Sequence, residues 1–106
     1  MPVSDEEIAF VHDLFDPLGQ ISHRKMMGGL SIYCDGQIFA ILSSDGEIYL
    51  KAQGTLAAAL EAEGSHKFAT ADGRGMHYWT LPDPALDDPE LACGWARRTL
   101  EAIAAR

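Results

Sequence analysis

The 106-residue sequence is short of positive charge. Eight Lys and Arg residues face sixteen Asp and Glu, for a net charge of −8. Nucleic-acid affinity comes largely from neutralising phosphates with Lys and Arg, so this balance argues against direct nucleic-acid binding. Acidic membrane surfaces are disfavoured for the same reason. Only Arg24-Lys25 and Arg97-Arg98 are adjacent basic pairs. No apolar run approaches the roughly 20 residues that span a bilayer. The opening "MPVSDEEIAF" is acidic where a secretory leader is basic and then apolar. With both features absent, a cytoplasmic protein is the expectation. Cysteine is scarce too. Cys34 and Cys93 form no C-x-x-C and read as two small buried thiols. Free thiols are expected in a reducing compartment, although spacing alone does not decide whether the two pair.

Catalytic signatures are also missing. His12, His23, His66 and His77 show no metal-ligand spacing. Cys34 has Asp35 as its neighbour, and a nearby carboxylate raises a thiol pKa where a nucleophile needs it lowered. Asp87-Asp88 and the Glu61/Glu63 pair read as a helix terminus and a solvated face. No carboxyl is surrounded by apolar residues as a general acid requires. Tyr78-Trp79 suggests a base-stacking platform, but it lacks adjacent positive charge and is better explained as a half-buried strand. The expectation is a protein with no catalytic residues, no metal and no cofactor.

What is present is a clear succession of elements. Ser4 and Glu7 form a capping box, and Ile8, Val11, Leu14, Phe15 and Leu18 recur at helical spacing behind it. "GLSIYC", "QIFAILS" and "EIYLKA" read as three strands joined at Asp35-Gly36 and Asp45-Gly46, the strongest short hairpin signals a sequence carries. The middle strand is apolar on both faces, with Ile38, Ala40 and Leu42 opposite Phe39 and Ile41, so it belongs inside the sheet. "TLAAALEAEG" is a short helix stopped by Gly64. "HKFATADGRG" reads as a short strand or a loop, and "MHYWTLP" as a strand ended by Pro82 and Pro84. Asp88, Pro89 and Glu90 announce a last helix, with Leu91, Trp95, Thr99 and Ile103 along one side. The fold class is α+β. An antiparallel sheet, a three-strand meander plus one or two further strands, packs with N-terminal, middle and C-terminal helices in a single domain over 1–106.

"RKMMGG", Arg24 to Gly29, is the one stretch with an ambiguous chemical meaning. A phosphate-binding loop runs from a strand through glycines into a helix. Here the glycines lead into a strand, and neither G-x-x-x-x-G-K-[ST] nor G-x-G-x-x-G occurs. Gly28-Gly29 therefore reads as a close backbone approach, a bulge or a sharp turn at the start of a strand. Arg24 and Lys25 beside such a turn suit a carboxylate or phosphate. Met26 and Met27 offer an adaptable apolar surface to a protein partner.

Taken together, "RKMMGGLSIYCDGQIFAIL", "EIYLKA", "GMHYWTLP" and "LACGWARRTLEAI" resemble the N-terminal domain of TfoX/Sxy competence regulators. The resemblance covers roughly residues 10 to 105. Its most specific parts are Arg24-x-Met26-x-Gly28-Gly29, Tyr49-Leu50-Lys51, Met76-x-Tyr78-Trp79-x-Leu81-Pro82 and Trp95. Met27 departs from the family, which commonly has an aromatic there, and Ser31 stands where glycine is common. The full regulators carry a second helical domain, so this chain resembles a single-domain member. The resemblance implies an α+β domain with no known catalytic role that acts alongside a transcription factor. Some small family members are labelled RNA methyltransferases, but no cofactor-binding glycine motif supports that label here.

These readings converge on a small non-enzymatic protein-interaction module, accessory to transcriptional regulation as the resemblance implies. Arg24, Lys25, Met26, Met27, Gly28 and Gly29 form or border its partner surface. The alternative is a small-anion binding or catalytic domain with Arg24 and Lys25 as the clamp and His77 or Tyr78 nearby. A small antiparallel sheet leaves an edge open, which allows a homodimer.

Overall fold

Each helix begins or ends at a residue suited to that position. In the computed structural model, which describes residues 4–26, 29–44, 46–67 and 77–104, α1 (Asp5–Phe15) starts at a complete capping box. The Ser4 hydroxyl accepts from the Glu7 amide at 3.2 Å, and the Glu7 carboxylate accepts from the Ser4 amide at 3.0 Å. A 3-10 turn (Asp16–Leu18) containing Pro17 ends it. The strands β1 (Ile21–Met26), β2 (Gly29–Cys34), β3 (Gln37–Leu42) and β4 (Ile48–Lys51) follow. Then come α2 (Gly54–Ala62), β5 (Tyr78–Thr80), the short α3 (Asp83–Leu86) and α4 (Pro89–Ala104). Gly64, at φ 94°, closes α2: its amide donates to Glu61 and the Ser65 amide to Leu60, which satisfies two terminal carbonyls. Asp88 caps α4, its Oδ1 accepting from the Glu90 amide at 3.0 Å and the Leu91 amide at 3.4 Å.

The sheet is an antiparallel meander in the order β1-β2-β3-β4-β5. Asp35 and Gly36 both take positive φ, 50° and 85°, as a two-residue turn matched to strand twist requires. The next connection is longer, closed by the Ser43 amide on the Glu47 carbonyl and the Gly46 amide on Ser43. β2, β3 and β4 are the expected meander. The further strands are β5, as expected, and β1, which the sequence pattern did not announce. Of "HKFATADGRG", only His66 and Lys67 lie within the described residues, and Lys67 forms a single bridge to Trp79.

One register shift moves a side chain to the other face. The pairing runs Ile32↔Ala40 and then Tyr33↔Ile38, skipping Phe39. This bulge flips the alternation. Phe39 joins Ala40 and Leu42 in the main core, while Ile38 goes with Ile41 to the opposite face. Simple alternation had paired Ile38 with Ala40 and Leu42. The bulge sets the Phe39 ring edge-on to Phe15 of α1, centroids 5.2 Å apart, a favourable aromatic arrangement.

All four helices contribute to that main core. Val11, Leu14 and Phe15 from α1, Leu56 and Leu60 from α2, Ala85 from α3 and Ala92, Cys93 and Ala96 from α4 pack against Leu30, Ile32, Ile48 and Leu50. The cluster on the opposite face, Ile41, Tyr49 and Tyr78 with Ile38, comes from strands alone among the described residues. On α4 the expected side is buried at Thr99 and packs on the core at Trp95 and Leu100, but its first residue, Leu91, is exposed. Ala92, Cys93, Ala96 and Thr99 face inward, and Leu91 is 46% exposed. Small residues win this face because they let α4 lie close to α1, β3 and β4.

Candidate functional site

β1 explains the ambiguous stretch. "ISHRKM" pairs with β2 along its whole length, from Ile21↔Cys34 to Met26↔Gly29. Arg24 to Met26 and Gly29 therefore lie in paired antiparallel strands, β1 and β2. Met27 and Gly28, together with the Met26 side chain, lie outside the described residues. Gly29 is buried as the first residue of β2.

Alternation along β1 separates the two cations. Arg24 pairs with Ser31, which pairs with Ile41 on the helix-free face. There the Arg24 guanidinium stands 6.0 Å from the Tyr33 ring centroid, the outer limit of a cation–π contact. Ile21, His23 and Lys25 take the other face. Ile21 packs on the main core. His23 meets α1 through a hydrogen bond between His12 Nε2 and His23 Nδ1 at 2.7 Å, the rings edge to face. One ring must donate and the other accept, so at most one imidazole carries a second proton. Burial, then the neighbouring His12 and Lys25, push the His23 pKa below its ordinary value. Neither histidine was singled out from sequence as a contact residue. The signal that would have found His23 is the alternation of β1 itself.

β1 is also an edge. At the far side of the sheet, β5 is covered: the Thr80 amide donates to the His66 carbonyl at 3.0 Å, the Ser65 hydroxyl to the Thr80 carbonyl at 2.7 Å, and the His66 amide to the Thr80 hydroxyl at 3.1 Å. Among the described residues nothing pairs with β1 beyond β2. Ser22, His23, Arg24 and Lys25 are all exposed.

The partners suggested for an anion clamp lie elsewhere. His77 precedes and Tyr78 opens β5, the strand at the other end of the sheet order from β1. Tyr78 is buried, and burial followed by the proximity of Tyr33 raises its phenol pKa, which keeps it neutral. Tyr78 and Trp79 occupy opposite faces, Tyr78 in the strand-only cluster and Trp79 against the main core, so they form no common platform. A groove of about 240 Å³ lies on the helical side instead, lined by Phe10, Asp13, Leu14, Leu86, Asp87 and Pro89. It includes none of the expected site residues.

Both thiols are free and buried. Burial, then the Asp35 carboxylate, raise the Cys34 pKa; burial also raises that of Cys93, against smaller opposing effects of Arg97 and the Leu18 backbone. Thiolate chemistry is suppressed at both. Among the described residues no three His, Cys, Asp or Glu side chains are grouped so as to hold a metal ion, and no helix is long and apolar enough to cross a membrane.

The fold and this edge define a class, an α+β domain whose helices cover one face of an antiparallel meander. The model of the TfoX N-terminal domain matches residues 13–103, and the chain belongs to that family. A search of curated proteins finds no match.

Proposed function

We propose that this protein is a non-enzymatic interaction module of the cytoplasm, accessory to transcriptional regulation, in keeping with its family. The observation that carries the reading is the β1 edge: a strand that pairs only with β2 among the described residues and bears exposed Arg24 and Lys25 in a chain of net charge −8. Exposed backbone donors and acceptors with a local charge opposite to that of the whole protein suit recognition of another protein. Arg24, Lys25, Met26, Met27, Gly28 and Gly29 are the contact residues in this reading. The acidic balance argues against a DNA reader, and a transcription factor as the partner is what the family resemblance implies.

The test is an affinity pull-down from native lysate with cross-linking and mass spectrometry, parent against Arg24→Ala/Lys25→Ala. A specific protein recovered by the parent and lost by the variant supports the reading. Recovery of no partner under cross-linking rejects it.

A further inference from the structure

The partner's chemistry can be narrowed, on the premise that the chain is an interaction module. Six residues of β1 extend about 20 Å, enough backbone for a peptide of six or seven residues to pair along. Charge of either sign protects an edge strand from indiscriminate pairing. This chain has twice as many acidic as basic residues, yet β1 and β2 contain His23, Arg24 and Lys25 and no carboxylate. The sign is therefore the informative part. Alternation also distributes it, with Arg24 on the face opposite the helices and Lys25 on the other. A strand laid against β1 meets a cation on each of its faces. A second copy of β1 fits poorly, because antiparallel pairing of two such strands sets like charges across from one another.

We infer that β1 is a strand-addition site for an extended acidic segment of a partner protein. Two adjacent carboxylates in that segment alternate in direction, so one reaches Arg24 and the next reaches Lys25. Backbone hydrogen bonds along the edge supply affinity, and the cations select the sign of the incoming strand.

The test is selection of random displayed peptides of about twelve residues on the intact protein, followed by binding to Arg24→Glu/Lys25→Glu. Enriched sequences are expected to carry adjacent carboxylates in a stretch without proline. They should bind the charge-reversed protein at least ~10-fold more weakly, lose affinity with added salt, and shift amide resonances concentrated in β1. The milder Arg24→Gln/Lys25→Gln protein should show a smaller loss in the same direction, which separates the effect from misfolding. Absence of enrichment, neutral or basic winners, equal binding to parent and variants, or shifts outside β1 overturns strand addition. So does sedimentation that finds a dimer joined through β1. The interaction-module reading fails separately, when cross-linked lysate yields no partner on any surface. Peptides bound elsewhere would leave that reading standing.

Discussion

Thr99 is fully buried in α4, and its hydroxyl has no hydrogen-bond partner among the described residues. A buried hydroxyl left unmatched forfeits its hydration without recompense. Valine has nearly the same shape and a similar helix propensity. Thr99→Val should therefore raise stability by about 1 kcal/mol, read as a higher urea midpoint with an unchanged slope. An unchanged or lowered midpoint would show that the hydroxyl is satisfied in solution. The two cysteines allow a second test at this scale. Burial raises both thiol pKa values, and Cys34 Sγ also lies 3.8 Å from the Asp35 carboxylate. Labelling by an aromatic disulfide reagent at neutral pH should be slow in the folded protein and become fast for both thiols in denaturant. Rapid labelling of the native protein would contradict the burial of Cys34 or Cys93.

Among the elements, the most informative contact is that between α1 and β1. The His12–His23 hydrogen bond needs a lone pair on one ring, so double protonation breaks it. His23 has a folded pKa below its ordinary value of 6.5. Its contribution to stability is fully present above the unfolded value and is lost as pH falls through the lowered folded value. Between about pH 7 and pH 5 the parent should lose more stability than His12→Gln/His23→Gln, in which the carboxylates still titrate but the pair is gone. Equal losses would mean that the rings do not couple α1 to β1. Capping, periodicity and Asp-Gly turns made α1, α2, α4 and the β2–β4 meander legible in the sequence, because each such signal is local. β1 was not legible. Among its described side chains only Ile21 is partly buried against the core, so "ISHRKM" lacks the apolar alternation of an inner strand. The bulge at Phe39 was hidden for a related reason, since β3 is apolar on both faces and any register satisfies its pattern. Arg24 and Lys25 were legible as cations near a turn. Their separation onto opposite faces followed only from the unannounced strand.

For the whole molecule, the charge distribution couples solubility to recognition. The net charge of −8 disperses copies of the chain, while the outer edge of β1, which pairs with nothing among the described residues, invites them to pair. Arg24 and Lys25 oppose that pairing locally, because a second β1 would bring its own cations against them. Removing them tests which effect governs. Arg24→Val/Lys25→Val makes the overall charge more negative, which by itself favours dispersal. It also converts β1 to "ISHVVM", a flat apolar edge with high strand propensity. Concentration-dependent association should therefore appear in the double variant and be absent from the parent, measured by sedimentation velocity across about a hundredfold range of concentration. The variant should also lose any acidic peptide that the parent binds, since the same two side chains repel copies and attract carboxylates. A variant that stays monomeric throughout would mean that β1 is covered in solution, and strand addition at that edge would then be impossible for any partner.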